Sequence, residues 1–356
     1  MKDMRLKIMT KLVSVIISNY NYAQYITEAI ESVLTQTYQN FELIIVDDGS
    51  EDNSKSIIQK FIEQYPHKIK GVFKENGGQA SAFNIGYKLA EGDILAFLDA
   101  DDYWYENKLQ TIVEYHELYS GIQHNLLINN QSKFTHLEDN ISKQKRLLEE
   151  FGFMGTIPTS GLSFITESIK HVFPIPEKDY KICADLYMKV MYLNNEDILS
   201  IDRPLGCYRS HDSNNWFNTQ LNSVKYNENT LKFLNKQRDL EGKLKIEKEN
   251  EALTIAKVFL DSINLTKEEN YIILGNGALG TELYNLIHKE YKIVSFSNSF
   301  VTEVEKHMGI DLMPLKYIKE IHPNAKLLIA SFQIEEVLNT LKEEKFDVNS
   351  ILIPKL

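Results

Sequence analysis

The sequence predicts an α/β protein with a mostly parallel sheet flanked by helices, followed by a second, smaller α/β domain. Short apolar, β-branched runs alternate with segments of helical periodicity across residues 12–100, which is the rhythm of right-handed βαβ units. A polar cluster follows each of these apolar runs. A fresh alternation of the same kind begins near residue 269.

The elements of the first region follow one another in a regular order. The first strand is "LVSVIIS", and apolar residues at helical spacing then recur over 26–34. The second strand, "FELIIVD", precedes a helix marked by 57–62, which Asp52 or Asn53 caps. The third strand is "IKGVFK", followed by a helix over 83–89 and the fourth strand, "DILAFL".

Length, composition and charge limit the number of domains and the kinds of partner that the protein can bind. The 356 residues suit two or three domains, and a hydrophobic content of 43% indicates well-formed cores. A net charge of −11 argues against nucleic acid as the main partner. Two cysteines, Cys183 and Cys207, are too few for a zinc cluster or a disulfide scaffold. The apolar run near the N-terminus is too short for a signal peptide or a spanning helix, so we expect a cytoplasmic protein.

Four polar sets fall at the predicted carboxyl ends of the four strands. They occupy residues 18–21, 47–50, 76–79 and 99–102. Because parallel strands end at the same edge of a sheet, these sets should meet on one rim, where α/β sheets bind ligands. The sequence therefore predicts a binding site there.

The fourth set contains three close carboxylates, Asp99, Asp101 and Asp102. A solvated turn with helix-capping acids is one interpretation. A haloacid-dehalogenase type of phosphatase loop is a second, and it fits poorly because Tyr103 stands where threonine or valine belongs. The third is a Mg²⁺ or Mn²⁺ site that holds a nucleotide diphosphate. The neighbouring motifs favour the third.

The stretch from about Val13 to Trp104 resembles the donor-binding half of family 2 glycosyltransferases of the GT-A fold. The resemblance is carried by "SNYN", "VDDGS", "NGGQASAFNIGYKLAEGD" and "LDADD". It implies an enzyme that uses a UDP-sugar, with Asp101 coordinating the metal that bridges the two phosphates. Asp47 is expected to be a structural hydrogen-bonding residue, and Tyr20 has the alternative role of packing a helix N-terminus.

The resemblance also implies individual donor contacts. Ser18 and Tyr20 would meet uracil and ribose, Asp48 the base edge, and Asp99 the ribose. The segment "YRSHDSNNW" resembles the segment that follows the base in many of these enzymes. His211 suits a third metal or diphosphate contact, with a structural histidine as the alternative, and Arg209 suits a phosphate contact. The full set implied to bind the donor is Ser18, Tyr20, Asp48, Asn76, Gly78, Asp99 and Arg209.

The catalytic base that the resemblance implies is Asp185 in "ICADLYMKV". Asp179 is a weaker rival, and an N-cap is the alternative role for Asp185. Ala184 precedes it where the family commonly has glutamate. The segment "IPTSG" is expected to form the acceptor-side wall, with Thr159, Ser160 and Gly161.

A second glycine motif, "YIILGNGALG", opens the C-terminal domain with Gly275, Gly277 and Gly280. It partly meets the dinucleotide fingerprint, but the next strand ends in Ser297 and Asn298 where a ribose-binding acid is needed. The domain also has the length of about half a dinucleotide fold. We therefore predict that it binds no NAD, and that its strand edges serve homodimerisation.

The predicted organisation is a GT-A domain over 1–222, with a donor half over 12–120 and an acceptor half over 121–222, a helical linker over 223–268, and a small Rossmann-like domain over 269–356.

The implied activity is inverting, metal-dependent hexosyl or N-acetylhexosaminyl transfer from a UDP-sugar. The acceptor would be a hydroxyl of a glycan or lipid-linked molecule in cell-surface polysaccharide synthesis, reached at the inner face of the membrane. A silent scaffold protein of such an assembly is one alternative. A sugar-nucleotide pyrophosphorylase is the other, although the first strand lacks the Gly-rich basic loop it needs.

Overall fold

A computed structural model describes most of the chain. The described residues are 11–135, 137, 139–152, 157–211, 214, 220–247, 251–298, 300–331 and 334–353. Their contacts divide the chain into two compact units, Met1–Leu148 with Met154–Ile246, and Glu149–Phe153 with Glu247–Leu356. No helix within these described ranges is both long and apolar enough to cross a membrane.

The first unit is built on a nine-stranded sheet in the order β3-β2-β1-β4-β8-β6-β9-β5, with β7 paired to β6. The strands are β1 (Val13–Asn19), β2 (Phe41–Asp47), β3 (Ile69–Phe73), β4 (Ile94–Asp99), β5 (Tyr103–Trp104), β6 (Gly121–Ile128), β7 (Ser132–Lys133), β8 (Leu162–Ile165) and β9 (Ile198–Tyr208). The four strands β1 to β4 are mutually parallel. The predicted parallel sheet is confirmed there, while β8 runs antiparallel to both β4 and β6.

Apolar side chains cover both faces of this sheet. Along β1, Ile16 lies in one buried cluster, whereas Val15 and Ile17 lie in the other. Successive side chains of a strand point to opposite faces, so a strand covered on both sides needs a continuous apolar run. This explains why "LVSVIIS" does not alternate with polar residues.

The α-helices of the first unit follow most of the strands. They are α1 (Ile26–Leu34), α2 (Ser54–Gln64), α3 (Gln79–Leu89), α4 (Lys108–Tyr115), α5 (Lys143–Phe151), α6 (Thr166–Ile169), α7 (Ala184–Leu193) and α8 (Gln220–Leu240). Helices α1, α2 and α3 match the three predicted from periodicity. The N-cap of α2 is Asn53, whose side chain makes no capping hydrogen bond, and the preceding Asp52 accepts from the Ser54 backbone N–H at 2.9 Å.

The second unit has its own six-stranded sheet in the order β12-β13-β11-β10-β14-β15. Its elements are α9 (Glu251–Asp261), β10 (Asn270–Leu274), α10 (Ala278–Ile287), β11 (Lys292–Asn298), β12 (Glu305–His307), β13 (Ile310–Pro314), α11 (Leu315–Ile321), β14 (Lys326–Ile329), α12 (Ile334–Glu343) and β15 (Ile351–Leu352). Five strands are parallel and β12 is antiparallel, a fuller sheet than the expected half-fold. Dimerisation through its edges stays a prediction.

The predicted helical linker is shared between the two units. Leu234 of α8 and Ile246 are buried in the first unit's core. Ile255 and Phe259 of α9 are buried in the second unit's core. The boundary lies between Ile246 and Glu247, because the apolar residues of each helix pack into a different core rather than forming a separate segment.

Candidate active site

Asp101 lies just beyond β4 and faces His211. The Asp101 carboxylate is 3.2 Å from His211 Nε2, and the Asn214 side chain donates to the same oxygen at 3.2 Å. The ring of Tyr25 stacks on the His211 imidazole with centroids 4.6 Å apart. The structure thus brings together the two residues that the sequence predicted as metal ligands.

The side chain of Asp102 connects three segments of the chain, a role that the sequence analysis did not identify. Its side chain is fully buried. The hydroxyl of Ser160 donates to one carboxylate oxygen at 2.6 Å, and the backbone N–H of Arg209 donates to the other at 2.9 Å. Ser160 also accepts from the backbone N–H of Asp99 at 3.1 Å. The end of β4 is therefore tied to the expected acceptor wall and to the end of β9.

The acids at the end of β4 carry uncompensated charge. Burial raises the pKa of Asp99 well above its usual value, and the charges of Asp101 and Asp185 raise it further. Burial also raises the pKa of Asp101, although His211 opposes the shift. Within the described part of the chain, neither Asp99 nor Asp101 forms an ion pair with a lysine or arginine. This cluster is therefore electrostatically suited to a cation.

The same carboxylates affect the pKa values of two tyrosines. Burial raises the pKa of the Tyr22 phenol, and Asp101 and Asp99 add to the shift. The pKa of Tyr208, at the end of β9, is raised by burial and then by Asp102, Asp101 and Asp99. Both phenols therefore stay protonated and available as hydrogen-bond donors beside the acids.

A divalent cation fits this cluster only with help from a ligand. No group of three His, Cys, Asp or Glu side chains placed to hold a metal occurs among the described residues. Asp101 and His211 offer two donors, a carboxylate oxygen and an imidazole nitrogen, both of which Mg²⁺ or Mn²⁺ accepts. The remaining positions would fall to phosphate oxygens and water.

Asp48, after β2, is already engaged from within the chain. It forms an ion pair with Lys74. The backbone N–H groups of Gly77 and Gly78 donate to its two oxygens at 2.9 and 2.7 Å. Since the carboxylate is almost completely buried, it shapes the loop over 76–79.

The other predicted donor contacts border this loop. Asp47 accepts from the Asn19 side chain at 2.8 Å and from the Ser50 backbone at 3.0 Å, as expected for a structural residue. Tyr20 is 44% exposed, so it is free to contact a ligand. Asn76 is also exposed, and Ser18 is half-buried at the end of β1.

Gly78 is the point where the loop meets the segment that leads to α7. Its φ is +89°, and an added Cβ would lie 2.5 Å from the Cα of Lys181. The next residue, Gln79, donates its backbone N–H to the Lys181 carbonyl at 2.8 Å. Only glycine allows this approach.

Gln79 is a functional candidate that the sequence analysis did not select. Its amide nitrogen donates to Asp99 at 3.2 Å and to the Thr159 hydroxyl at 3.4 Å. Its amide oxygen accepts from the Ala184 backbone at 2.9 Å. One side chain thus connects the acids of β4, the acceptor wall and the first residue of α7. Its place in the polar set over 76–79 was the available signal.

Asp185 lies in the first turn of α7. The N-cap position is occupied by Cys183, with φ of +58°, so Asp185 is not the cap. Its side chain is 19% exposed and lies 3.4 Å from the Nζ of Lys189. The rival Asp179 is exposed. Leu186 and Met188 are buried, and the structure brings Asp185 close enough to Asp99 for their charges to interact.

The acceptor-side segment Thr159–Gly161 is a short 3₁₀ turn whose residues are all buried. An added Cβ at Gly161 would lie 2.2 Å from an Ile157 side-chain carbon and 2.6 Å from the His124 carbonyl. The turn is therefore tightly fixed against the segment that precedes it.

Arg209 is placed differently from the expected phosphate contact. Its guanidinium pairs with Glu28 and lies over the ring of Tyr103, 4.8 Å from the centroid, and near that of Tyr25 at 5.3 Å. In this arrangement its charge is neutralised by Glu28. A phosphate contact would require exchange of that partner.

The glycine motif of the second unit forms a tight turn. Gly275 has φ of +121°. Asn298, at the position expected for a ribose-binding acid, donates to the Asn276 side chain at 2.6 Å and accepts from two backbone groups of the following turn at 2.9 Å. The prediction that this unit does not bind NAD remains a prediction.

Comparisons with known proteins agree with this geometry. Residues 14–158 match the family model "Glycosyl transferase family 2". An uncharacterized glycosyltransferase of Nostoc sp. is 41% identical over 213 residues, which is 57% of this chain and 66% of that protein. The minor teichoic acid biosynthesis protein GgaB of Bacillus subtilis is 42% identical over 104 residues, 29% of this chain and 12% of that protein. The chain thus spans only part of these relatives.

A solved structure shows the fold. The structure of S. aureus TarS 1-349 in complex with UDP-GlcNAc superposes with a TM-score of 0.52 at 19% identity, covering 69% of this chain and 70% of that one. The predicted fold class is confirmed for the first unit, and the part of the chain that carries the acidic strand end is a family 2 glycosyltransferase domain with a GT-A fold.

Proposed function

We propose that the protein transfers a sugar from a UDP-sugar to a hydroxyl group with inversion, assisted by Mg²⁺ or Mn²⁺. The observation that carries this proposal is the uncompensated pair of half-buried Asp99 and buried Asp101, with His211 beside it and Asp185 within range of its charge. Such a cluster favours a cation-bearing diphosphate over a neutral ligand.

The roles follow from position. Asp101 and His211 would hold the metal, whose positive charge stabilises the leaving UDP. Ser18, Tyr20 and Asp48 would lie around the nucleoside, and Asn76 and Gly78 would line the same pocket. Asp99, fixed by Gln79, would lie by the ribose.

The transfer step needs one base. A carboxylate oxygen of Asp185 takes the proton of the acceptor hydroxyl, while the hydroxyl oxygen attacks the anomeric carbon from the face opposite the diphosphate. The bond from that carbon to the diphosphate breaks, and the electron pair leaves with UDP. The wall Thr159–Gly161 would orient the acceptor.

The donor and acceptor classes draw support from similar proteins. TarS has been solved with UDP and with UDP-GlcNAc, and GgaB is named for minor teichoic acid biosynthesis. We therefore propose a UDP-hexose or UDP-N-acetylhexosamine donor and an acceptor in cell-surface polysaccharide synthesis.

The test is UDP release and acceptor transfer with UDP-glucose, UDP-galactose and their N-acetyl forms, with Mn²⁺ or with EDTA. We expect one donor to turn over with metal only. Asp185→Asn should lose transfer by about 100-fold or more but still bind UDP in calorimetry, while the exposed control Asp179→Asn stays active. Pyrophosphate release from UTP and a sugar phosphate would instead indicate a pyrophosphorylase. UDP-sugar binding without turnover of any donor would indicate a scaffold protein.

A further inference from the structure

We propose that Lys189 is a positioning residue of the transfer reaction, which holds the Asp185 carboxylate in place and fixes it to the acceptor wall. This inference rests on the proposed function. It assigns a role to a charged side chain that no motif of the sequence indicated.

Lys189 is charged, buried and directed to the candidate site. Its side chain is 2% exposed. Its Nζ donates to the Ile157 carbonyl at 2.8 Å and to the Asp185 carboxylate at 3.4 Å. Burying an ammonium group is costly unless it is paired, and both partners here belong to the segments proposed to perform the reaction.

The geometry couples the base to the wall. Asp185 and Lys189 are one turn apart on α7, at the i, i+4 spacing that lets their side chains meet. Ile157 leads into the turn Thr159–Gly161, and its side chain occupies the space beside Gly161. A single ammonium group therefore sets the distance between the base and the residues proposed to orient the acceptor.

The charges around Asp185 explain why a cation is needed. Asp99 is close enough for the two carboxylates to repel each other. The other titratable neighbours are Cys183 and Tyr208, and the Asp185 charge raises the pKa of both after burial and, for Tyr208, the three strand-end acids. Among the described residues, Lys189 is the only lysine or arginine in ion-pair contact with Asp185. It is the cation that fixes the position of the base.

The test compares Lys189→Met and Lys189→Gln with the full-length wild type. The glutamine can still donate to the Ile157 carbonyl but carries no charge. For both variants we expect kcat to fall by about 10- to 100-fold, while KM for the donor changes by less than about twofold. Lys189→Arg should recover part of kcat.

The control is Lys170→Met, which removes an exposed lysine paired with Glu167 at three residues' spacing. It should leave kcat and KM unchanged. If Lys189→Met does not give the native circular dichroism spectrum, the kcat of Lys189→Gln decides. A wild-type kcat in a folded Lys189 variant, with Asp185→Asn inactive, would overturn this inference and leave the proposed function intact. An inactive wild type would overturn the proposed function first.

Discussion

Strands β2 and β4 lie on either side of β1 in the sheet, and acidic residues lie in or just beyond both strands. The partners of these acids differ between the two strands. The acids of β2 are compensated by the chain itself. Glu42 accepts from the Ser14 hydroxyl and from the Glu91 backbone and pairs with Lys70, while Asp48 pairs with Lys74 and accepts from two backbone amides.

Asp99 and Asp101, at the end of β4, form no ion pair with a lysine or arginine among the described residues. Asp99 accepts from the Gln79 side chain, and Asp101 accepts from Asn214 and lies 3.2 Å from His211 Nε2. Their raised pKa values show that the described residues do not fully offset the cost of burying these two carboxylates. Compensated acids hold the fold in place, as Asp48 does for the loop over 76–79, and uncompensated ones mark the place where we propose that a charged ligand binds.

The largest expected effect comes from Asp101→Asn, which would break this contrast. Removing the carboxylate should lower metal-dependent transfer by about 100-fold or more, since a metal supplies several kcal/mol of charge stabilisation. Because the acid is uncompensated, the fold should lose no stability and should melt at the same or a higher temperature near pH 8. Transfer rates and thermal melting measure the two parts. Full activity of this variant in EDTA would contradict the proposed metal role.

Replacing a compensated acid should have the opposite effect and lower the stability of the fold. In Asp48→Asn, the amide NH₂ group replaces a carboxylate oxygen that accepts from the backbone N–H of Gly77 or Gly78, so that two donors face each other. The variant also loses the ion pair with Lys74. We expect a loss of about 1–3 kcal/mol in the free energy of unfolding, measured by urea titration, with a higher KM for the donor. Lys74→Met, which keeps both backbone contacts, should cost less. Equal losses would show that the ion pair, not the amides, holds Asp48.

The smallest effect concerns Glu42, at the start of β2, and it depends on pH. Burial raises its pKa, but Lys70, the Ser14 hydroxyl and the Glu91 amide outweigh burial and leave it below its ordinary value of 4.5. A lowered pKa contributes stability that is present above the unfolded value and is lost as pH falls through the folded one. Glu42→Gln should therefore cost about 1 kcal/mol at pH 7. Unfolding titrations should show the difference vanish in acid below the lowered pKa, and a constant difference would rule out this explanation.

The donor half could be predicted from the sequence because its signals are local. Parallel strands buried on both faces appear as apolar runs, and their ends appear as polar sets. The pairing of β8 with both β4 and β6 was not predictable, since it joins segments far apart in the chain without a distinctive pattern.

The same limit applies to the site. The acids and the candidate base carried motif signals, whereas Gln79 and Lys189 acquire their roles through partners such as Thr159 and Ile157, brought close only by folding. Arg209 illustrates the converse. Its motif pointed to phosphate, but the fold places Glu28, 181 positions away, against its guanidinium.

The indole of Trp104 has an optical consequence. The chain contains two tryptophans; Trp216 lies outside the described residues. Trp104 is buried, donates from Nε1 to the Ser160 carbonyl at 2.8 Å, and has the Lys108 Nζ 3.4 Å from its ring centroid. Burial lowers the pKa of that lysine. Since Ser160 also bonds Asp102, a charge arriving at the strand end alters the electric field across the indole. Intrinsic fluorescence of a Trp216→Phe protein would thus report donor binding without a label.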